Sequence, residues 1–121
     1  MYLKEKLENI KKLKIEHEKI DYLPNEIFKL TNLESLCMGY DNLEEIPKEI
    51  GNLANLKALY IGSANLNKLP KDIGNLIKLE KLKLLIHYLK NITKEIGNFT
   101  KLKELDINCI SLKEIPKEIG N

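Results

Sequence analysis

Residues 46–68, with the sequence IPKEIGNLANLKALYIGSANLNK, form a unit that recurs along the chain every 23 residues. The preceding copy begins at Leu23, and the two following copies begin at Leu69 and Ile92. A partial copy occupies 115–121. A fixed period in this range predicts a solenoid, in which each copy is one coil stacked on the next.

Because the spacing never slips, apolar residues of successive units fall into columns. Two such columns are Ile27, Ile50, Ile73, Ile96 and Ile119, and Leu36, Leu59, Leu82 and Leu105. Stacked coils would join these columns into one continuous core.

Each unit divides into a strand and a return segment. The alternation at Leu56, Leu59 and Ile61 is typical of a short strand with one buried face. The copies must then stack as parallel strands, since each strand is followed by a return segment. Ile50, Leu53 and Leu56 recur every three residues, which predicts a short helix or 3₁₀ turn in that segment.

A Gly-Asn pair punctuates the return segment of three units, at Gly51, Gly74 and Gly97. Glycine is the residue that most readily adopts a positive φ. The pattern therefore predicts a positive φ at these positions.

The repeated pattern L-P-x-x-I-G-N-L-x-x-L-x-x-L-x-L resembles the leucine-rich repeats of the 23-residue type. Such repeats occur in bacterial repeat proteins and in plant intracellular and Ras-pathway scaffold proteins. The resemblance implies an α/β fold, a right-handed solenoid shaped as a short horseshoe. Parallel strands would line its concave face, with short helices or 3₁₀ turns on the convex face. It also implies that the concave face binds other proteins.

The repeat register predicts a single domain with three parts. Residues 23–114 hold four repeats, and 115–121 hold a truncated fifth. Residues 1–22 fit the register weakly and are interpreted as a degenerate N-terminal capping repeat. In that cap, a helix would lead into a strand from Leu13 to Ile15.

Bulk composition excludes several classes of function. The 20 basic and 18 acidic residues give a net charge of +2, spread evenly, so nucleic-acid binding is not expected. No apolar run is long enough to cross a membrane, and the N-terminus lacks the apolar run of a secretory signal. A cytoplasmic location is therefore expected, or else a chain from which a leader has been removed.

The two cysteines are expected to be free thiols. Cys37 and Cys109 lie three units apart, which corresponds to roughly 14 Å across stacked strands, whereas a disulfide needs Cα atoms within about 7 Å. No Cys and His lie at metal-ligand spacing, and no His is placed to serve Cys37 as a base. We therefore expect no metal, no cofactor, no catalytic residue and no enzymatic activity.

The chain departs from the family where an Asn usually follows the strand. That column holds Glu18, Asp41, Ala64, His87 and Ile110. Ala64 and Ile110 cannot hydrogen-bond through their side chains, so the bonds must be lost or made by water or by Asn42, Asn65 and Asn108. Looser turns are expected after the strands in the second half of the chain. The column is expected to face inward, which would make His87 a hydrogen-bonded core histidine.

Residues that alternate with the buried strand positions should point into the concave face. Parallel register places Lys81 beside Glu104 and Lys83 beside Asp106 on adjacent strands. Opposite charges in such positions stabilise a sheet modestly, so these pairs have a structural reading as well as a binding one.

A protein-binding patch is predicted where small residues surround an aromatic side chain. Its members are Tyr40, Tyr60, Lys83, Leu85, Ile86 and Asp106. Tyrosine offers a large contact area and a hydroxyl, as is typical of interface anchors. Leu85 and Ile86 are expected to be exposed or half-exposed. Alternatively, apolar residues occupy these solvent-facing columns by chance.

Three functions remain open at the level of the sequence. The first is a protein-interaction module that binds a partner on its concave face. The second is a recognition domain cut from a larger effector or signalling protein. The third is a self-assembling structural repeat protein, with a homodimer formed through the open C-terminal edge.

Overall fold

The computed structural model describes residues 9–16, 25–39, 43–110, 112 and 116–120, where five parallel strands alternate with five 3₁₀ turns. The strands are β1 (Lys12–Glu16), β2 (Ser35–Gly39), β3 (Ala58–Ser63), β4 (Lys81–Ile86) and β5 (Glu104–Asn108). The turns are η1 (Asn25–Lys29), η2 (Lys48–Asn52), η3 (Lys71–Asn75), η4 (Lys94–Asn98) and η5 (Lys117–Gly120). Strand order in the sheet follows chain order, so the predicted solenoid of parallel strands and 3₁₀ turns is confirmed.

The strands pair at the register that the 23-residue period predicts. Leu36 is the partner of Leu59, which in turn is the partner of Leu82. All three are at most 1% exposed, because alternate strand residues face the inside of the coil. Each fully buried leucine contributes about 1.5–3 kcal/mol to folding through removal of apolar surface from water.

The return segments are 3₁₀ turns because their hydrogen bonds span three residues. In the coil of η2, the amide of Ile50 donates to Pro47 O over 3.1 Å, and that of Leu53 donates to Ile50 O over 3.2 Å. Leu56 N then donates to Leu53 O over 3.0 Å. This spacing turns Ile50, Leu53 and Leu56 toward the core, where each is fully buried.

The segments that the sequence assigned to the ends are covered only in part. β1 includes the predicted strand from Leu13 to Ile15, whereas the helix expected before it lies outside the described residues. The division into a cap, four repeats and a truncated fifth repeat stays a prediction.

Glycine is required in the turns for close packing between coils, not for a positive φ. No residue in the described part of the chain has a positive φ, so that prediction is wrong. A Cβ on Gly74 would lie 2.7 Å from the Cβ of Glu95 and 3.0 Å from its carbonyl oxygen. Gly51 and Gly97 meet the next turn at similarly short distances. The turns can approach this closely only where one of the two residues lacks a side chain.

Two features of the turns accompany this close approach. Asn98, the second residue of a Gly-Asn pair, donates from Nδ2 to Gly74 O of the preceding coil over 3.4 Å. In the first turn the glycine column holds Phe28, which is buried in the core. A larger residue fits there because η1 packs less closely against η2 than the later turns pack against one another.

In the loops after the strands, the residue that faces inward lies one position before the predicted one. β3 and β4 continue until Ser63 and Ile86, and the alternation of buried and exposed residues continues with them. Residues 63 and 86 therefore face inward, whereas in the next column Ala64 is half-buried and residues 87 and 110 are exposed. His87 is exposed, so its assignment as a core histidine is wrong, and Ile110 in the same column is 78% exposed.

Ser63 takes over the hydrogen bonding expected from an asparagine. Its side chain is buried, and its Oγ donates to Leu43 O of the preceding coil over 2.8 Å. The same oxygen accepts from the amides of Asn65 and Leu66, both at 3.3 Å. One hydroxyl thus satisfies three backbone groups where the chain leaves the sheet.

The close packing of the turns can be tested by comparing substitutions of two glycines, one in a turn and one in a strand. Gly74→Ala should lower the free energy of unfolding by about 1–3 kcal/mol, because its methyl group meets the backbone of the next turn. Gly62→Ala, on the strand β3, is the control, since a Cβ there meets nothing nearer than 3.9 Å. The control should be neutral or stabilising by up to about 1 kcal/mol. Urea denaturation checks both values, and equal effects at the two sites would contradict the close-packing account.

Ser63→Ala tests the hydroxyl in the loop. We expect a loss of about 1–3 kcal/mol, because the substitution leaves buried backbone groups without a partner. Ser35→Ala, on the concave side of β2 and only half-buried, is the matched control and should change stability by less than about 0.5 kcal/mol. The measurement is the shift in the denaturation midpoint of each variant. A Ser63→Ala variant as stable as the control would show that the hydroxyl is dispensable.

Candidate functional site

The strand register assembles the centre of the concave face. One row across the sheet consists of Lys14, Cys37, Tyr60, Lys83 and Asp106. Tyr60 lies between Cys37 and Lys83 and is half-buried. Neighbouring strands are about 4.8 Å apart, so the phenol ring has a neighbouring side chain on each side. Three of the predicted patch residues therefore share this row.

The predicted charge pairs on this face are confirmed. Lys81 Nζ is 3.8 Å from Glu104 Oε1, and Lys83 Nζ is 4.0 Å from Asp106 Oδ2. All four side chains are about half or more exposed. Exposed pairs of this kind contribute at most about 1 kcal/mol, so they leave both charges accessible to a partner.

Beside Tyr60 on the concave face, the large side chain of Leu85 lies next to Gly62, which has no side chain. We call this pair the step. Leu85 is the register partner of Gly62 and is 43% exposed, as the sequence predicted. A Cβ on Gly62 would have its nearest neighbours at 3.9 and 4.0 Å, both backbone oxygens. Unlike the turn glycines, Gly62 is therefore not required by packing, since a Cβ there would make only ordinary van der Waals contacts.

One residue was wrongly assigned to the predicted patch, and another lies outside the described residues. Ile86 is fully buried, because the inward-facing alternation of β4 continues to its last residue. It belongs to the core and offers no surface to a partner. Tyr40 lies outside the described residues.

A column of charges on the flank of the solenoid was not predicted from the sequence. The column has alternating sign and holds Lys11, Glu34, Lys57, Glu80 and Lys103, each 23 residues from the next. Glu34 is 3.2 Å from Lys11 and 3.8 Å from Lys57. A hydrogen bond from Lys11, together with the charges of Lys11 and Lys57, lowers the pKa of Glu34. The signal for this arrangement in the sequence is the 23-residue period of its alternating charges.

Two further exposed apolar residues lie in the loops after the strands. Tyr88, in the loop that follows β4, is 57% exposed. Ile110, which the sequence placed inside, is 78% exposed in the following coil. The shift of the inward position to residues 63 and 86 explains why reading the columns missed Ile110.

Both cysteines are free thiols, as predicted. Burial raises the pKa of the Cys109 thiol, which makes the reactive thiolate less available. Among the described residues, no cluster of three or more His, Cys, Asp or Glu side chains could hold a metal ion. In the same part of the chain, no helix has the length and apolar character needed to cross a membrane.

The outer edge of β5 is a further exposed surface. Leu105 is 39% exposed, whereas Leu82 in the same column is 1% exposed. Within the described residues, β5 pairs only with β4. A homodimer through this edge stays a prediction.

Comparison with known proteins confirms the resemblance carried by the repeat pattern. The family described as "Leucine-rich repeat region" matches residues 3–121. A leucine-rich repeat protein of Leptospira interrogans has a similar solved structure, with a TM-score of 0.62 and 29% identity over 94% of this chain and 35% of the other. An internalin of Listeria monocytogenes is similar in fold, with a TM-score of 0.61 and 22% identity over 88% of this chain and 34% of the other.

The chain thus spans about a third of the length of these two solved structures. No match was found among curated protein sequences.

Proposed function

Because the chain belongs to the leucine-rich repeat family, we propose that it is a protein-interaction module whose concave face binds another protein. The contacts assigned to this face are Tyr60, Lys83, Leu85 and Asp106. Tyr40, a member of the patch predicted from the sequence, is kept as a fifth contact on that basis. The module acts by binding, without a cofactor or a catalytic step, and its expected location is the cytoplasm.

The main support is the exposed Leu85 beside Gly62, which has no side chain. An exposed Leu85 next to Gly62 serves no purpose in the core, because the core is complete beneath them with Leu59, Ile61 and Leu84. A partner side chain placed over Gly62 would contact Leu85 on one side and the ring of Tyr60 on the other. Tyrosine and buried apolar contacts at the centre of an interface supply most of the binding energy in such complexes.

The charges around this centre favour a partner with groups of both signs. Lys83 and Asp106 flank the step on the β4 and β5 side, and their 4.0 Å separation is at the limit of an ion pair. A partner can therefore insert its own carboxylate or ammonium group there at small cost. Such charged rims contribute chiefly to specificity and association rate.

The length of the chain relative to similar structures is a reason to keep the second candidate function, a recognition domain within a larger protein. Since the chain spans about a third of the solved structures that it resembles, it is compatible with a recognition domain within a larger effector or signalling protein. The concave-face contacts would be the same in both cases, and only the activity coupled to binding would differ.

The proposal predicts that a partner is lost when the concave face is changed. The test is affinity capture from the source cells with the unmodified chain and with the double variant Tyr60→Ser, Leu85→Lys. A captured protein should bind the variant at least about tenfold more weakly in calorimetry, because both apolar contacts are removed. Ile77→Lys replaces another exposed apolar residue, 57% exposed and outside the concave face, and should bind like the unmodified chain.

A second change tests the Gly62 position alone. Gly62→Val should abolish binding while leaving the melting temperature equal or higher, since a Cβ meets no atom nearer than 3.9 Å there and valine favours strands. Unchanged affinity in both the double variant and Gly62→Val, with intact folding, would show that the exposed residues of this face have no binding role.

A further inference from the structure

The charged residues of the concave face lie on either side of an uncharged centre. The sequences of β2 and β3 are SLCMG and ALYIGS, so neither strand contains an acidic or basic residue. β1 has the sequence KLKIE and β4 has the sequence KLKLLI. Because alternate residues of a strand share a face, the lysines of both strands point to the concave side, where all are exposed: Lys12 and Lys14 on β1, Lys81 and Lys83 on β4.

The strand register joins these two lysine pairs through continuous rows. One row consists of Lys12, Ser35, Ala58 and Lys81. The row that holds Tyr60 has the same form, with Lys14 at one end and Lys83 beyond the ring. In both rows the two lysines are three strands apart, which corresponds to about 14 Å at the usual strand spacing. We call the concave surface of β2 and β3 between the lysine pairs the trough.

The charges along the sides of the trough are balanced or absent among the described residues. On the flank before the strands, the four coils of β1 to β4 contribute two lysines and two glutamates in alternation, at residues 11, 34, 57 and 80. After β3 and β4, the first loop residues are Ala64, Asn65, His87 and Tyr88, none of which is a carboxylate. The loop after β2 lies outside the described residues. The lysine pairs therefore dominate the charge at this surface.

The acidic residues of the sheet lie mainly beyond β4. Glu104 and Asp106 approach the β4 lysines to 3.8 and 4.0 Å from the β5 side, away from the trough. β1 and β4 themselves hold four lysines and one acidic residue, Glu16, at the end of β1. A carboxylate over the trough would place each β4 lysine between two acidic groups. The flank column has this arrangement with reversed signs, since Glu34 lies between Lys11 and Lys57.

The distance between the lysine pairs determines which ligand matches them. In an extended segment, successive residues advance by about 3.3 Å and alternate residues point to the same side. Residues i and i+4 therefore lie about 13 Å apart on one side, with residue i+2 midway between them. On one face of an α-helix, the nearest spacings are about 10.5 Å for i+7 and about 16.5 Å for i+11. The extended segment fits the 14 Å span more closely.

We propose that the trough binds an extended segment of a partner protein with the pattern acidic-x-apolar-x-acidic, lying across the strands. One carboxylate pairs with the lysines of β1 and the other with those of β4. The apolar residue between them lies over the small side chains of the trough and contacts the ring of Tyr60. This inference rests on the proposed function, and it specifies the chemistry that the partner brings to the same face.

The test uses a library of random peptides displayed on phage and selected on the intact chain. The trough variant Lys12→Glu, Lys14→Glu serves for counter-selection. Lys48→Glu, Lys71→Glu is the matched control, because it makes the same change in charge on exposed lysines of the convex turns η2 and η3. Both variants change exposed side chains, so their melting temperatures should lie close to that of the unmodified chain.

Enriched peptides should contain two acidic residues four positions apart, with an apolar residue midway. A synthetic peptide with the commonest enriched pattern should bind the trough variant at least about tenfold more weakly than the unmodified chain or the control, and less so at high salt. Each acidic residue of the peptide is then replaced by Lys in turn. One of the two replacements should restore binding to the trough variant, because the charges over β1 attract again.

The variant Tyr60→Ser, Leu85→Lys separates failure of this inference from failure of the proposed function. If the selected peptide binds the trough variant normally but loses affinity for that variant, the face binds through its apolar residues and the acidic pattern is wrong. If both variants bind it normally, the concave face has no role.

Three further results would overturn the inference. The first is no enrichment, and the second is enrichment of acidic residues at another spacing. The third is binding of a single-stranded DNA oligonucleotide that the trough variant abolishes, which would assign the lysines to nucleic acid.

Discussion

The distance between neighbouring coils is the constraint on which the whole structure depends. On the concave side, strand hydrogen bonding sets it. The amides of Glu34, Lys57, Glu80 and Lys103 each donate to the residue 23 positions earlier, and every one of these bonds is 2.7 Å long. On the convex side the turns η2 to η5 match this spacing because glycine occupies the point of closest approach, whereas η1, with Phe28 at that position, packs less closely against η2. Leucine and isoleucine columns then fill the interior that these two sides define.

Most of the fold follows from this constraint and could be predicted from the sequence. A constant period fixes the parallel register, and the spacing of Leu56, Leu59 and Ile61 fixes the strand. Two details could not be predicted because they depend on contacts between coils. A glycine needed for close approach has the same sequence signature as one needed for a positive φ. Similarly, whether residue 86 or residue 87 faces inward depends on where the strand ends, which the apolar pattern leaves undecided.

The candidate site was predicted less completely, for a related reason. Lys83 and Asp106 could be paired from register alone, and Leu85 could be placed on the surface by alternation. Ile86 was misplaced because the expected strand was too short, and Ile110 was missed because its column was assigned to the interior. Residues outside the core columns are free of the packing constraint, so the repeat pattern does not predict their identity. These are the positions that can differ according to the partner that is bound. Leu85, Tyr88 and Ile110 are exposed apolar residues of this kind, and Tyr60 is a half-buried one.

Hydrogen exchange of backbone amides, followed by NMR, tests the central claim most directly. The account predicts that the amides of Glu34, Lys57, Glu80 and Lys103 exchange slowly, because each joins one coil to the next at the same short distance. They should share one slow class, opening only when neighbouring coils separate. Exchange of any of these four amides at the rate of an unstructured peptide would contradict the constant spacing of the coils.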